Sequence, residues 1–359
     1  MCKRRKYFCR KGNQIVGIME NKTKSKAAVA FAAIAACCLG IFLFVQRGDN
    51  AIAPVHDFAS YAFNPQSTLT ERVQPAPDFL LADWRELDAN PAYKNRALTS
   101  LELAKVEAAF SRLPAPVRGV LQQRLIGLYF VDGFSSSGVT DWVVNADGRL
   151  YVYMMMNTSV LAQTVSQTLT SKETTCFIKD DNNAAVEVTV ATPDTLTGFD
   201  YILFHEAAHA VDYVCGITPF TEPATQRFAG GISVNDAKIS AGIWKEYSTP
   251  FADYPLRKQV SFYGFGGPNI SVSSAADIYS SIASTPFMSL YGSLNWAEDL
   301  AELFAFYHLT EIIIGDPAAY IISVTKNGKS VYATRPATNP KVRERFKHLA
   351  SFYTELNPR

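Results

Sequence analysis

Apolar residues recur at helical spacing in several parts of the chain and predict amphipathic helices there. Leu101–Phe110 fits one such helix, with Thr99 or Ser100 as its N-terminal cap. After a proline-containing break, Val117–Phe130 predicts a second helix. Near the C-terminus, Pro340–Leu356 predicts a basic amphipathic helix whose apolar side chains pack on the rest of the protein.

Other apolar runs have the length of β-strands and are bounded by turn-forming residues. Trp142–Val144 and Leu150–Met156 flank a polar turn at residues 145–148, which predicts a β-hairpin. Cys176–Ile178 and Val186–Val190 flank another polar loop and predict a second hairpin. Strands followed by an apolar helix at Phe199–Cys215 and by a later glutamate-bearing helix indicate an α+β domain with a small mixed sheet.

The apolar helix contains two histidines and a glutamate in the order His-Glu-Ala-Ala-His. Residues four apart share a helical face, so His205 and His209 can bind one metal ion, and neutral imidazole is a good zinc ligand. Glu206 is placed to take a proton from a water molecule at the metal. A chance pattern on a surface helix is the alternative. The apolar neighbours argue against it, because burying such side chains without partners is costly.

A catalytic zinc needs a third protein ligand. The metzincin pattern would place a histidine six residues after His209, but Cys215 occupies that position. Glu298 and Glu302 are four residues apart in a later helical stretch with an apolar stripe, so they can face the first helix. Asn295 fits the N-terminal cap of that later helix, and a capping role for Glu298 is compatible with metal binding.

The two motifs together resemble those of the anthrax lethal factor catalytic-domain family, which are zinc peptidases of the gluzincin type. The first motif reads HEAAHAVD and ends at Asp212. The second begins with Tyr291 and continues, at the family's spacing, into the AEDLAE run that contains Glu298 and Glu302. The segment between the motifs is longer than in the toxin, so the toxin's choice of substrate is not carried over.

The resemblance implies a zincin-like metallopeptidase domain over about Ser100–Arg359 and a role for each motif residue. The implied roles are zinc ligands for His205, His209 and Glu298, general base for Glu206, hydrogen-bond donor to the oxyanion for Tyr291, and support of the ligands for Glu302. A carboxylate often orients a ligand histidine, and Asp212 is a candidate for that role; the alternative is a solvated helix residue.

Charge divides the chain unevenly. Residues 1–26 carry nine basic and one acidic side chain, a net charge of +8, although the whole chain is close to neutral at +1. The uncharged apolar segment 27–45 follows directly and has membrane-spanning length, so the basic run predicts cytoplasmic orientation of the N-terminus rather than nucleic-acid binding. The segment is interpreted as a signal anchor; a cleaved signal peptide and a lipoprotein signal stay open as alternatives.

Residues 46–98 are rich in proline, aspartate and asparagine, and we expect a linker with limited structure, anchored by Leu80, Leu81 and Trp84. The metallopeptidase domain is then expected to span residues 99–359. Only Cys176 and Cys215 lie in that domain, and they can form one disulfide or remain two buried thiols.

These observations predict a zinc metallopeptidase, most simply an endopeptidase, that acts on a protein or peptide substrate. Its domain is expected outside the cytoplasm, either anchored to the membrane through residues 27–45 or secreted or periplasmic after signal cleavage. One strand within residues 150–190 is expected to form the sheet edge that receives the substrate. The alternatives are a non-catalytic, zinc-stabilised envelope binding protein and a zinc amidase acting on cell-wall peptides.

Overall fold

The computed structural model describes residues 52–179, 185–219, 239–262, 265–353, 356 and 358. The basic segment 1–26 and the apolar segment 27–45 lie outside the described residues, so their predicted roles remain predictions. Among the residues that are described, no helix is both long enough and apolar enough to cross a membrane. The described chain is an α+β structure with small sheets.

The N-terminal segment contains more regular structure than a linker. It forms 3₁₀ turns at Pro54–His56, Phe58–Ser60 and Thr70–Arg72, helix α1 at Asp78–Leu87 and strand β1 at Lys94–Asn95. The expectation of limited structure for residues 46–98 is therefore wrong for the part described. Its apolar side chains are sufficient to cover one face of a sheet, and Leu80, Leu81 and Trp84 are buried there, as the anchoring prediction expected.

The next elements are helix α2 at Ser100–Arg112, helix α3 at Ala115–Arg124 and strand β2 at Leu125–Asp132. The predicted second helix, Val117–Phe130, is wrong beyond Arg124. All but the last residue of β2 are buried, and a strand buried on both faces has a continuous apolar run that periodicity alone does not distinguish from a buried helix.

A four-stranded sheet has the order β1-β2-β4-β3, with β3 at Gly138–Val144 and β4 at Leu150–Asn157. β3 and β4 form the predicted antiparallel hairpin, and β2 runs parallel to β4. Alternate residues of β4 face two separate apolar clusters: Met154 belongs to the main core, whereas Met155 packs with the N-terminal segment.

The predicted second hairpin is wrong, because its two strands lie in different sheets. β5 at Phe177–Ile178 pairs in parallel with β9 at Ile270–Ser271. β6 at Val186–Ala191 is antiparallel to β10 at Ile321–Lys326, which in turn pairs with β11 at Lys329–Thr334. The remaining pair is β7 at Trp244–Glu246 with β8 at Thr249–Pro250.

The remaining helices are α4 at Val165–Thr174, α5 at Gly198–Cys215, α6 at Ala275–Ile282, α7 at Trp296–Tyr307 and α8 at Pro340–Phe352. A π-helical turn at His308–Ile313 extends α7.

Helix α5 is the centre of the fold. It packs against β3, β4, α4 and α7, and every one of its residues except Tyr213 is buried. Thr197 and Asp200 form its capping box, and Gly216 ends it with a left-handed φ of 66°. A helix whose residues are mostly apolar, and whose polar side chains have partners, can occupy this central position.

Candidate metal centre

Helices α5 and α7 bring three of the predicted ligands together. His205 and His209 are one turn apart on α5, and Glu298 lies in the first turn of α7. Asn295 fixes the start of α7, since its side chain accepts hydrogen bonds from the backbone N–H groups of Ala297 (3.0 Å) and Glu298 (2.9 Å).

The three ligand atoms form a nearly equilateral triangle. His205 Nε2 is 3.2 Å from His209 Nε2 and 3.2 Å from Glu298 Oε2, and His209 Nε2 is 3.4 Å from the same oxygen. Ligand atoms bound to a tetrahedral zinc at ~2.0–2.1 Å lie about 3.3 Å from one another. All three residues are buried, and the group can hold a metal ion.

The donor chemistry of the triangle also fits a cation. Glu298 Oε2 is buried and has no hydrogen-bond donor of good geometry. Burial opposes ionisation of this carboxyl, but His209 and His205 outweigh it and lower the pKa of Glu298 to about 2. Burial likewise disfavours a charged His205, yet Glu298 and Glu302 raise its pKa to about 10. The negative charge of these carboxylates therefore favours a cation between the three ligand atoms.

Glu206 faces strand β3. Its Oε2 accepts a hydrogen bond of 2.8 Å from the Thr140 hydroxyl, and Gly138 leaves room for its side chain. Burial raises the pKa of Glu206, and the neighbouring His205 and His209 oppose that increase. A buried carboxylate next to a cation site has the position and basicity that a general base needs.

Glu302 bonds the ring nitrogen of His205 that faces away from the triangle. Its Oε1 accepts a 2.9 Å hydrogen bond from His205 Nδ1, which leaves Nε2 facing the triangle. Burial disfavours its ionised form, but Lys172 and His205 hold the pKa of Glu302 well below its usual range. Tyr201 and Ser289 also donate to this carboxylate.

Tyr291 begins a short 3₁₀ turn, Tyr291–Ser293, just before α7. Its ring centroid is 6.0 Å from that of His205, and Phe262 packs edge-on against it at 5.1 Å. The predicted oxyanion donor is thus adjacent to the metal triangle.

Asp212 is placed differently from the expectation. Its carboxylate accepts hydrogen bonds from the backbone N–H and the hydroxyl of Thr218, and no hydrogen bond joins it to His205 or His209 among these described residues. Asp212 lies near the C-terminal end of α5, where the chain turns back at Gly216 and brings the donors of Thr218 within reach. It fixes this turn, and Glu302 is the carboxylate that bonds the predicted ligand His205.

The structure also bears on the two cysteines and on the sheet edges. Cys176 and Cys215 are both buried and form no disulfide, and burial raises the pKa of Cys176 to about 12. Of the strands within residues 150–190, β4 is interior and β6 is an edge strand of another sheet, whereas the edge strand that packs on α5 is β3.

Sequence reasoning missed Thr140, Lys172 and Ser289. Two of them lie far from their partners along the chain: 66 residues separate Thr140 from Glu206, and 130 separate Lys172 from Glu302. Ser289 is 13 residues before Glu302, in a loop that precedes α7. No spacing rule connects such positions.

No protein-family model, curated protein or solved structure matches this chain.

Proposed function

We propose that this protein is a zinc metallopeptidase with a zincin-like fold of the gluzincin type, hydrolysing peptide bonds within proteins. The observation that carries the proposal is the triangle formed by His205, His209 and Glu298, whose edges of 3.2 to 3.4 Å suit a tetrahedral zinc. The resemblance of both motifs to the lethal factor family supports the same conclusion.

When bound, zinc supplies Lewis-acid chemistry, polarising a carbonyl group and making water more acidic. Glu206 is the group that accepts the proton of the attacking water and returns it to the leaving amine. Its hydrogen bond to Thr140 holds the carboxylate towards β3, so the proton is transferred on the substrate side of the site. Tyr291 is placed to donate a hydrogen bond to the oxyanion that forms.

Strand β3 is the proposed docking edge for an extended peptide. Backbone bonds join Asn157 N to Ser137 O and Asn145 N to Arg149 O, so the alternation of an antiparallel pair turns the backbone groups of Thr140 and Trp142 away from β4. At Trp142 these groups already have partners, since the carbonyl oxygen accepts from His56 Nδ1 at 2.9 Å and the N–H donates to Asp141 Oδ1 at 2.8 Å, so the N-terminal segment covers that end of β3. The proposed position of the peptide is therefore beside Thr140, which bonds Glu206. From the pattern of residues 1–45 alone, we propose that the catalytic domain lies outside the cytoplasm.

The test compares zinc content and cleavage of a peptide library by the full-length wild type and by Glu206→Gln. We expect zinc in both proteins and cleavage by the wild type only. A control is Glu311→Gln, since Glu311 pairs with Arg343 near the surface rather than with a residue of the site. This control should cleave like the wild type.

Other outcomes favour the alternative functions. Zinc in both proteins with no cleavage by either would indicate a non-catalytic binding protein. Activity on peptidoglycan fragments alone would indicate a cell-wall amidase. A folded wild type that takes up no zinc would overturn the metal centre itself.

A further inference from the structure

The carboxylate of Glu302 is saturated by four donors from three parts of the chain. Oε1 accepts from His205 Nδ1 at 2.9 Å and from the Tyr201 hydroxyl. Oε2 accepts from the Ser289 hydroxyl and the Lys172 ammonium. An ionised carboxylate accepts about four hydrogen bonds, so Glu302 has no acceptor capacity left for water. Its position is therefore determined by all four neighbours at once.

Lys172 is the unusual member of this group, because lysine is rarely buried completely. Its side chain is 2% exposed, and it reaches Glu302 from helix α4. Its ammonium donates to the Tyr201 hydroxyl at 2.6 Å and lies 5.1 Å and 5.2 Å from the ring centroids of Tyr201 and Tyr291. The Lys172 ammonium thus contacts both Glu302, which bonds the predicted ligand His205, and Tyr291, the predicted oxyanion donor.

The turn that carries Tyr291 is attached to the same carboxylate. Ser289 Oγ donates to Glu302 and accepts a 2.9 Å hydrogen bond from Gly292 N. Gly292 lies so close that a Cβ at this position would be 3.2 Å from the Cβ of Glu302. A shift of Glu302 would therefore move His205 and the Tyr291 turn together.

Charge balance explains why a lysine belongs here. Glu206, Glu298 and Glu302 place three buried carboxylates around two histidines. A divalent cation adds two positive charges, and the Lys172 ammonium adds a third, bonded to Glu302 and close to the buried Glu173 as well. Buried charges are stable only when they are paired and hydrogen-bonded.

We propose that Lys172 is a positioning residue of the metal centre, which acts through Glu302 to hold both His205 and Tyr291 in place. The inference rests on the proposed zinc site, but not on peptidase activity. It requires that the loss of Lys172 weakens zinc binding, and that this effect disappears once Glu302 no longer carries a charge.

The test measures zinc affinity of full-length proteins by competition with a chelating dye, after circular dichroism has shown that each variant is folded. Lys172→Met and Glu302→Gln should each weaken zinc binding by roughly 10- to 100-fold, the usual effect of losing a partner of a metal ligand. In the Glu302→Gln background, Lys172→Met should change the affinity by less than about threefold, because the charge it balances is already absent.

Lys105→Met is the matched control. Lys105 also fixes its ammonium in the fold, by a 2.8 Å hydrogen bond to the Leu161 carbonyl, but it does not contact the network around Glu302. It should bind zinc like the wild type. A merely structural role for Lys172 would lower the melting temperature of apo and zinc-loaded protein alike, with zinc affinity unchanged in the folded variant.

Each outcome decides the proposal. A folded Lys172→Met with wild-type zinc affinity overturns it, and so does a double variant that binds zinc much more weakly than Glu302→Gln alone. If Lys172→Met does not fold, the zinc affinity of the double variant is compared with that of Glu302→Gln alone. The double variant removes the charges of both Lys172 and Glu302, so it leaves neither charge buried without its partner. Zinc binding by the wild type without cleavage would refute the peptidase and leave the role of Lys172 standing.

Discussion

Glu206 is positioned by residues of strand β3 as well as by its own helix. The Thr140 hydroxyl holds one carboxylate oxygen, and the absence of a side chain at Gly138 makes space for the other. A Cβ on Gly138 would be 2.6 Å from Ile202 Cγ2 and 2.9 Å from Glu206 Oε1. Glycine at this position therefore sets how closely the strand approaches the proposed general base.

We predict that Gly138→Ala lowers the proposed peptidase activity by about 100-fold, the order expected when a catalytic group is displaced by about 1 Å. Zinc content should not change, because His205, His209 and Glu298 are not displaced. Gly119→Ala is the control: Gly119 lies in α3 with nothing within 4 Å of an added Cβ, so activity should be retained. Wild-type activity of Gly138→Ala would contradict this account of Glu206.

His308 predicts a pH dependence of stability away from the metal. It is buried, its Nδ1 donates to the Phe304 carbonyl at 2.8 Å, and burial lowers its pKa to about 4. An unfolded histidine has a pKa of about 6.5, so between these values the unfolded chain binds more protons. The free energy of unfolding should fall by roughly 3 kcal/mol as the pH drops from 6.5 to 4.

The measurement is denaturant unfolding of metal-free wild type and His308→Gln between pH 4 and 7. The variant should lose less stability over this interval, and His348→Gln, an exposed histidine in α8, should behave like the wild type. Identical pH profiles for wild type and His308→Gln would rule out His308 as the source.

The part of the site that follows from helical spacing is the part that sequence reasoning could predict. His205, Glu206 and His209 lie within one turn, so the helix alone determines their relative positions. The partners of Glu206 and Glu302 depend on how β3, α4 and α7 pack around α5, and no local pattern contains that information.

At the scale of elements, α7 is held between α5 and the C-terminal helix by a buried ion pair. Arg345 of α8 donates two hydrogen bonds of 2.7 Å to the two oxygens of Asp299, and Trp244 Nε1 donates to the same carboxylate at 2.7 Å. Asp299 follows the predicted ligand Glu298 directly, so this pair fixes the turn of α7 that carries Glu298.

We predict that Arg345→Met lowers the free energy of unfolding by about 3–5 kcal/mol, because Asp299 is left as a buried charge without its partner. Arg343→Met on the same helix is the control. Arg343 pairs with Glu311 at the surface, where an ion pair contributes only about 0–1 kcal/mol. Denaturant unfolding checks both variants, and equal losses would show that the Arg345 pair does not hold the helices together.

The elements also show where sequence patterns stop being informative. The β3–β4 hairpin was predictable because its turn residues and both strands are adjacent in sequence. Residues 125–130 were mistaken for helix because a fully buried strand lacks the alternation that identifies a half-exposed one. β6 pairs with β10, whose residues lie 130 to 140 positions later, and no turn residues in the sequence indicate such a pairing.

At the scale of the whole molecule, the four-stranded sheet has an apolar cluster on each face. One face packs on α5 and the main core, and the other is covered by the N-terminal segment with Leu80, Leu81 and Trp84. Arg72 from the same segment is buried and donates to the carbonyls of Leu121 (3.0 Å), Gln122 (2.7 Å) and Leu125 (2.7 Å), at the end of α3. The segment thus completes the sheet and caps a helix that packs on α5.

We therefore predict that the folding unit begins well before residue 99, the domain start that sequence pattern favours. A fragment of residues 99–359 should unfold without cooperativity and bind a hydrophobic dye, because one face of the sheet loses its cover, whereas residues 52–359 should unfold in one transition. Within the longer fragment, Leu80→Ala should cost about 2–5 kcal/mol of unfolding free energy, as expected for a buried leucine. Leu101→Ala, at a position 72% exposed, should cost almost nothing. If the shorter fragment instead unfolds cooperatively and binds zinc like the longer one, the N-terminal segment is an accessory to a metal centre that folds without it.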